Sequence, residues 1–289
     1  MKAAAFDYIR ASSVDEICRL LADAGDEERK VIAGGQTLVP LMAMRMARPD
    51  MLIDINDVTE LTGIQNFGDH ISFGAGTRQR AIERSDVVSE HLPLLAKAVR
   101  NVGHVQTRNR GTIGGSIVHG DPSAEIALAA LALDAKMTLR DLSGTTEISV
   151  DGFFEAAMVT NIEPQQLLTE IRIPVWQGTR IGTGFHETAS RHGDFAIVAA
   201  AAQVQISDSG LVSRLAVTVG GAAPSPVKLQ SLERALVGVS QDDIDVPANL
   251  VDQDINPDTD VHATAAYRKR VARILVSRAL ADAVEEAGK

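Results

Sequence analysis

The chain has 289 residues, with 28 Lys and Arg against 38 Asp and Glu, a formal net charge of −10, and 45% of its residues are hydrophobic. That length and apolar content suffice for one large domain or two ordinary ones. The acidic balance argues against a nucleic-acid binder, which needs a basic footprint, and against docking on an anionic membrane surface.

Cys18 is the single cysteine. One thiol forms no internal disulfide and cannot hold an iron–sulfur cluster, which typically takes four thiolates. Met1 to Arg10 has no apolar stretch of signal-peptide length, and no apolar run approaches the ~20 residues that span a bilayer. A cytoplasmic location is the expectation.

In chain order, Phe6, Tyr8 and Ile9 read as a short strand. Ser13 and Glu16 fit a capping box, and Val14, Ile17, Cys18, Leu21 and Ala24 recur at helical spacing up to Gly25. Val31–Ile32 predicts a buried strand running into Gly34–Gly35. Leu38 to Met46 reads as a short apolar helix, and Met51 to Ile55 as another strand. From Gly63 a second segment begins. Ile71 and Phe73 alternate, Thr77 is placed to cap a helix reaching Arg84, and Leu92 to Val99 predicts a further helix. Asn101 to Asp121 is polar and glycine-rich. Pro122 fits the first turn of a helix running to Leu133. Strands are expected at Met137–Leu139, Ile148–Val150 and Leu168–Ile173.

Pro and Gly cluster between Pro174 and Gly184, which suggests a boundary. Beyond it, Ala196 to Ile206 and Leu211 to Val219 read as a hairpin about Asp208-Ser209-Gly210. A helix near Leu229–Leu236, an acidic turn-rich stretch from Asp242 to Asp260, and a long helix from Ala263 to Glu286 complete the chain. Arg268, Arg270, Arg273 and Arg278 on that helix read as a solvated face, or as contacts for a partner. Strands and helices without strict alternation predict an α+β fold.

Two glycine-rich segments carry the chemistry. In Val31-Ile32-Ala33-Gly34-Gly35-Gln36-Thr37-Leu38 a strand meets paired glycines ahead of a helix; Arg110-Gly111-Thr112-Ile113-Gly114-Gly115-Ser116 also precedes one. Glycine lets backbone approach a ligand closely, and N–H groups at a helix start favour a phosphate. Taken singly, each pair is also what a tight turn needs. Neither segment has P-loop or Rossmann spacing. A pyrophosphate held between two separate segments suits an extended dinucleotide, and a side chain at Gly35 or Gly114 is expected to take the space it needs.

Ala33-Gly34-Gly35-Gln36-Thr37-Leu38-Val39-Pro40 with Gly111-Thr112-Ile113-Gly114-Gly115-Ser116 resembles the FAD-binding subunits of molybdenum hydroxylases, the family of the carbon monoxide dehydrogenase medium chain and the xanthine dehydrogenase flavin domain. The resemblance runs through Phe6-Asp7-Tyr8, Leu52-Ile53-Asp54-Ile55, Gly120-Asp121-Pro122, Glu163-Pro164 to Ile173-Pro174, Arg191 to Ala196, and Tyr267-Arg268. It implies a two-subdomain PCMH-type FAD-binding domain over residues 1–176 (subdomains about 1–60 and 61–176), then a small C-terminal α+β domain over 177–289. It implies that Ala33, Gly34, Gly35, Gln36, Thr37 and Leu38 wrap the FAD pyrophosphate, and that Thr112, Ile113, Gly114, Gly115 and Ser116 hold the other side. Glu125, Leu168, Arg191 and Asp194 would complete the site, with Phe195 close by. Ser116 stands where the family commonly has an Asn, Glu125 where it has an Asp and Arg191 where some relatives carry a Lys.

The same resemblance implies partners: a small subunit with [2Fe–2S] clusters and a large subunit with a molybdopterin-type molybdenum cofactor, assembled as a dimer of heterotrimers. The large subunit would hydroxylate substrate with water-derived oxygen, and this chain would pass electrons through FAD to a terminal acceptor. A self-contained flavin oxidase or dehydrogenase of the related fold is the alternative, and a scaffold whose glycine segments are mere turns is a third reading. None of the seven histidines has a metal-binding spacing. His119 is the best placed of them to touch a flavin or a partner. Cys18 reads as core packing, and the Met42, Met44, Met46 cluster as core packing or as the lining of a flavin edge.

Overall fold

The computed structural model describes residues 2–289. Its first unit is a three-stranded parallel sheet in which β1 (Asp7–Arg10) and β2 (Arg29–Ile32) flank β3 (Met51–Asp54). α1 (Val14–Ala22) joins β1 to β2, and α2 (Leu38–Ala43) joins β2 to β3. The Ser13 hydroxyl caps α1 by accepting from the Glu16 N–H at 3.2 Å. The return half of the expected capping box lies one residue earlier, because the Glu16 carboxylate accepts from the Ser12 N–H at 2.8 Å. Ile17, Cys18 and Leu21 pack with Ile53 in the core under this sheet. Met42 is buried, whereas Met44 and Met46 are exposed, so only one of the three methionines is core.

The second unit is a five-stranded antiparallel sheet. Its members are β4 (Ile64–Asn66), β5 (His70–Gly74), β6 (Lys136–Asp141), β7 (Gly144–Ser149) and, after the small β8 (Phe154–Ala156) and β9 (Val159–Thr160) hairpin, β10 (Leu167–Pro174). The spatial order is β4-β5-β10-β6-β7. Between β5 and β6 the chain makes six helices: α3 (Gln79–Glu83), α4 (Asp86–His91), α5 (Pro93–Asn101), α6 (Val105–Arg110), α7 (Ile113–His119) and α8 (Glu125–Ala132). Apart from Glu125 at its start, α8 is apolar on every face, and its residues are all buried, as a helix at the centre of a core must be.

Three expectations change here. Thr77 does not cap α3: its hydroxyl accepts from the Gly63 N–H at 3.0 Å and donates to the Gly63 carbonyl at 2.9 Å, and the helix begins after Arg78. Pro122 lies three residues before α8 rather than in its first turn. The polar stretch Asn101 to Asp121 is helical over much of its length. α6 is held there by Arg108, a buried cation forked onto Glu83 at 2.9 and 3.1 Å and donating to the Val102 carbonyl at 2.9 Å. A helix anchored by an ion pair has no apolar periodicity to reveal it.

The third unit is an antiparallel sheet of β11 (Ile181–Thr188), β12 (Val198–Ile206), β13 (Val212–Gly220) and β14 (Val227–Lys228), in that order. α9 (Gln230–Leu236), α10 (Ala248–Asp254) and α11 (Ala265–Ala287) follow, and α10 emerges from the acidic stretch expected to be turns. α11 lies directly on β11: a Cβ at Gly184 would strike the Ala279 carbonyl, and one at Gly182 the Ala283 carbonyl. Arg268 is buried, not part of a solvated face. It donates to the Ile197 and Gly221 carbonyls (2.5 and 2.8 Å) and pairs with Asp260 at 2.7 Å. The opposite face of this sheet packs on α8, where the Thr218 hydroxyl donates to the Leu128 carbonyl at 3.1 Å. No helix among the described residues is long and apolar enough to cross a membrane.

Candidate functional site

A cavity of about 800 Å³ lies between the parallel sheet and the helices that follow β5, with β10 at its floor. Both glycine segments line it, which brings together residues nearly eighty positions apart.

The first segment leaves β2 at Ile32 and turns at Gly35, whose φ of +69° is the left-handed conformation that favours glycine. Among the described residues, the backbone N–H groups of Gly34, Gly35, Gln36, Thr37 and Leu38 have no protein acceptor. Five consecutive free donors on a cavity wall form a receptor for an anion with several oxygens. The Gln36 amide donates back to the Gly34 carbonyl at 3.1 Å and steadies the turn.

The second segment is built differently from the matched loop that the sequence suggests. Thr112 is the N-cap of α7, so Gly114 and Gly115 lie inside its first turn. Its donors are already used. The N–H groups of Ile113, Gly114, Gly115 and Ser116 reach the Thr77 carbonyl (3.0 Å), the Ala75 carbonyl (2.9 Å), the Thr112 hydroxyl (3.0 Å) and the Thr112 carbonyl (3.2 Å). Gly114 is small for packing: a Cβ there would lie 2.6 Å from the Ala75 carbonyl oxygen. Gly114 also lines the cavity but is buried, whereas Gly115 is exposed to it, and a Cβ there would meet only the Thr112 hydroxyl, at 2.8 Å. This wall therefore offers a flat backbone face and the Ser116 hydroxyl rather than N–H donors. Ile113 is fully buried in the core and does not line the cavity.

The two segments also touch each other. A Cβ at Gly34 would overlap the Arg110 carbonyl and lie 2.9 Å from the Gly111 Cα. Gly34 is thus a contact between the two walls as well as part of the anion receptor.

Glu125 stands in the first turn of α8, buried, on the cavity wall. Burial pushes its carboxyl up to about 8, and the charges of Glu187 and Asp121 add to the shift. At neutral pH it is protonated, so it can donate a hydrogen bond and does not repel an anion bound nearby. Glu187 on β11 is likewise pushed up, to about 7, by burial. Leu168 is buried on the wall at the start of β10, beside the irregularity between Leu168 and Glu170.

Arg191 and Asp194 are exposed in the turn between β11 and β12 and do not line the cavity. Phe195 from the same turn does line it, and is 65% exposed. That turn rests on α6, with the His192 and His104 rings edge to face at 5.7 Å. His119 lines the cavity, whereas His186 pairs with Asp282 on α11 at 2.8 Å.

Gln79 was not evident as a site residue. It is 95% buried by its 5% exposure, lines the cavity, and has a buried Oε1 without a protein partner. Val102 and Thr107 also line the wall. These three lie outside any motif, and only the folding of α3, α5 and α6 brings them here.

The free donor run, the volume and the protonated carboxyl fit a bound dinucleotide. Residues 4–176 match the sequence family described as the FAD binding domain in molybdopterin dehydrogenase, and residues 183–283 the CO dehydrogenase flavoprotein C-terminal domain. The chain is 41% identical to the 6-hydroxypseudooxynicotine dehydrogenase complex subunit alpha of Paenarthrobacter nicotinovorans, over 99% of this chain and 97% of that one. It is 33% identical to the nicotine 6-hydroxylase medium subunit of the same organism, over 98% and 99%. Its structure superposes on a chain of carbon monoxide dehydrogenase from Hydrogenophaga pseudoflava with a TM-score of 0.93 at 32% identity, covering 99% of each. The chain therefore belongs to the family of FAD-binding subunits of molybdenum hydroxylases.

Proposed function

We propose that this chain carries FAD in a three-subunit molybdenum hydroxylase, between a small [2Fe–2S] subunit and a large molybdenum-cofactor subunit. The observation that supports this most directly is the run of free N–H donors from Gly34 to Leu38 on the cavity wall. FAD, when bound, supplies the capacity to take up electrons and release them to an acceptor. The chain's own residues bind and orient it. Gly34 to Leu38 receive the pyrophosphate. Gly115 and Ser116 form the facing wall, where Glu125, with a carboxyl free to donate, and Leu168 of β10 would hold the cofactor. Arg191 and Asp194 belong to the turn above Phe195 and act at the rim. The FAD-binding domain extends to residue 176 and the C-terminal domain from 177, and two heterotrimers pair in the cytoplasm. With one cysteine, the chain cannot hold the iron–sulfur relay itself, so its electrons come from a partner.

The test uses the purified complex and the isolated chain. The complex is expected to release intact FAD on denaturation, because no covalent link is needed. The isolated chain is expected to show no substrate-dependent reduction of a dye acceptor. Robust dye reduction by the chain alone would overturn the subunit reading in favour of a self-contained flavoenzyme.

A further inference from the structure

We infer that Asn56 and Arg78 form a polar clamp that holds the two walls of the cofactor cavity at their working separation, as positioning residues that themselves lie off the cavity wall. The inference rests on the reading of the cavity as the FAD site.

The clamp is continuous from one wall to the other. The Asn56 side-chain amide donates to the Ala33 carbonyl at 2.9 Å, at the root of the free donor run. Its oxygen accepts from the Arg78 guanidinium at 2.6 Å. The other arm of that guanidinium donates to the Arg110 carbonyl, at the root of the second segment. Arg78 is also bridged through its backbone to Thr112, and the next N–H, from Gln79, donates to the Gly111 carbonyl at 2.9 Å. Asn56 is in turn fixed by Asp54, whose carboxylate accepts from the Asn56 N–H at 2.8 Å and which pairs on its other oxygen with the Tyr8 hydroxyl.

Three features indicate that this arrangement serves the cavity. Both of its ends fall on carbonyls directly beside cavity-lining residues, Ala33–Gly34 and Arg110–Gly111. Those two peptides are already in contact, because Gly34 has no room for a Cβ against Arg110. Arg78 is anchored on the Arg110 side, so its bond to Asn56 is the one that crosses between the walls and sets how closely they meet. Finally, the free donors of Gly34 to Leu38 stand on one wall only. Their aim at a ligand lying against Gly115 depends on wall separation, and a planar fork with two separate acceptors fixes that separation better than a single bond would.

The test measures the FAD dissociation constant, read by flavin fluorescence on titrating the flavin-stripped complex, and the turnover of the reconstituted complex in Asn56→Ala, Arg78→Ala, Arg78→Lys and the double alanine variant. The constant is expected to rise at least tenfold in each alanine variant, with turnover recovering when FAD is in excess. Lysine reaches one acceptor rather than two and should give an intermediate constant. The double variant should be no worse than the worse single one, since both residues belong to one chain of bonds. Arg180→Ala, which removes bonds to the Ser207 carbonyl and the Gln241 side chain (2.6 and 2.7 Å) far from the cavity, should leave the constant unchanged. Wild-type constants in both alanine variants would overturn the clamp, as would a loss of turnover that excess FAD does not restore. Should Arg78→Ala fail to assemble, Asn56→Ala and Arg78→Lys decide the matter. A wild-type complex without flavin would instead overturn the assignment of the cavity.

Discussion

Replacing Glu125 by Gln keeps the shape of the cavity wall and removes its titration. The folded carboxyl titrates at about 8 against an ordinary value of 4.5. Folding therefore takes up a proton at intermediate pH. The stability this gives is fully present below about 4.5 and is lost as pH rises through about 8. Across the middle of that window one pH unit is worth roughly 1.4 kcal/mol. Rounding of the curve near the folded pKa reduces the loss between pH 6 and pH 8 to about 2 kcal/mol. For a chain of this size that is a fall in Tm of about 5 °C. The Gln variant lacks this component, so the stability difference between variant and wild type should move by about 2 kcal/mol in favour of the variant over the same interval. Urea or thermal unfolding of the flavin-free chain at several pH values reads it directly. Glu187 titrates in both proteins, and because its charge acts on Glu125 the difference between the curves includes the coupling of the two carboxyls. Parallel stability–pH curves for the two proteins would refute the argument and place an ionised carboxylate on the wall.

The two neighbouring glycines of α7 should behave differently. Gly114→Ala forces a methyl group onto Ala75 and is expected to destabilise the apo chain by about 2–3 kcal/mol. Gly115→Ala is expected to weaken the Thr112 cap by about 1 kcal/mol and to reduce flavin affinity more than stability. Unfolding midpoints and flavin titrations on the two variants separate these outcomes. Gly184→Ala, which pushes α11 off β11, should prevent folding or lower the thermal midpoint by about 7 °C, or about 3 kcal/mol. Arg268→Met leaves two buried carbonyls unpaired and is expected to destabilise by about 2–4 kcal/mol, measured by urea unfolding.

Much of this protein was legible in its sequence. Period-two strands at Ile71–Phe73 and Met137–Leu139, the hairpin about Asp208-Ser209-Gly210, and the apolar face of α1 each carry their structure in local pattern, since burial of one face dictates the spacing of apolar residues. The glycine segments marked both walls of the cavity for a related reason: few other residues suit those backbones. Tertiary structure decided what each glycine is for. The donors at Gly34 to Leu38 are free, and those of α7 are not, because Ala75 and Thr77 from the β5–α3 connection happen to reach α7. Nothing within the Thr112–Ser116 segment records that. The same holds for Arg268, which looks like a surface cation along its helix and is buried by carbonyls of Ile197 and Gly221. It holds also for Asn56, Arg78 and Gln79, polar residues without periodicity whose roles arise only when distant backbone meets them. Local pattern reports which face of an element is apolar. Which polar groups find partners depends on contacts distant in sequence, and in this chain those contacts define the site.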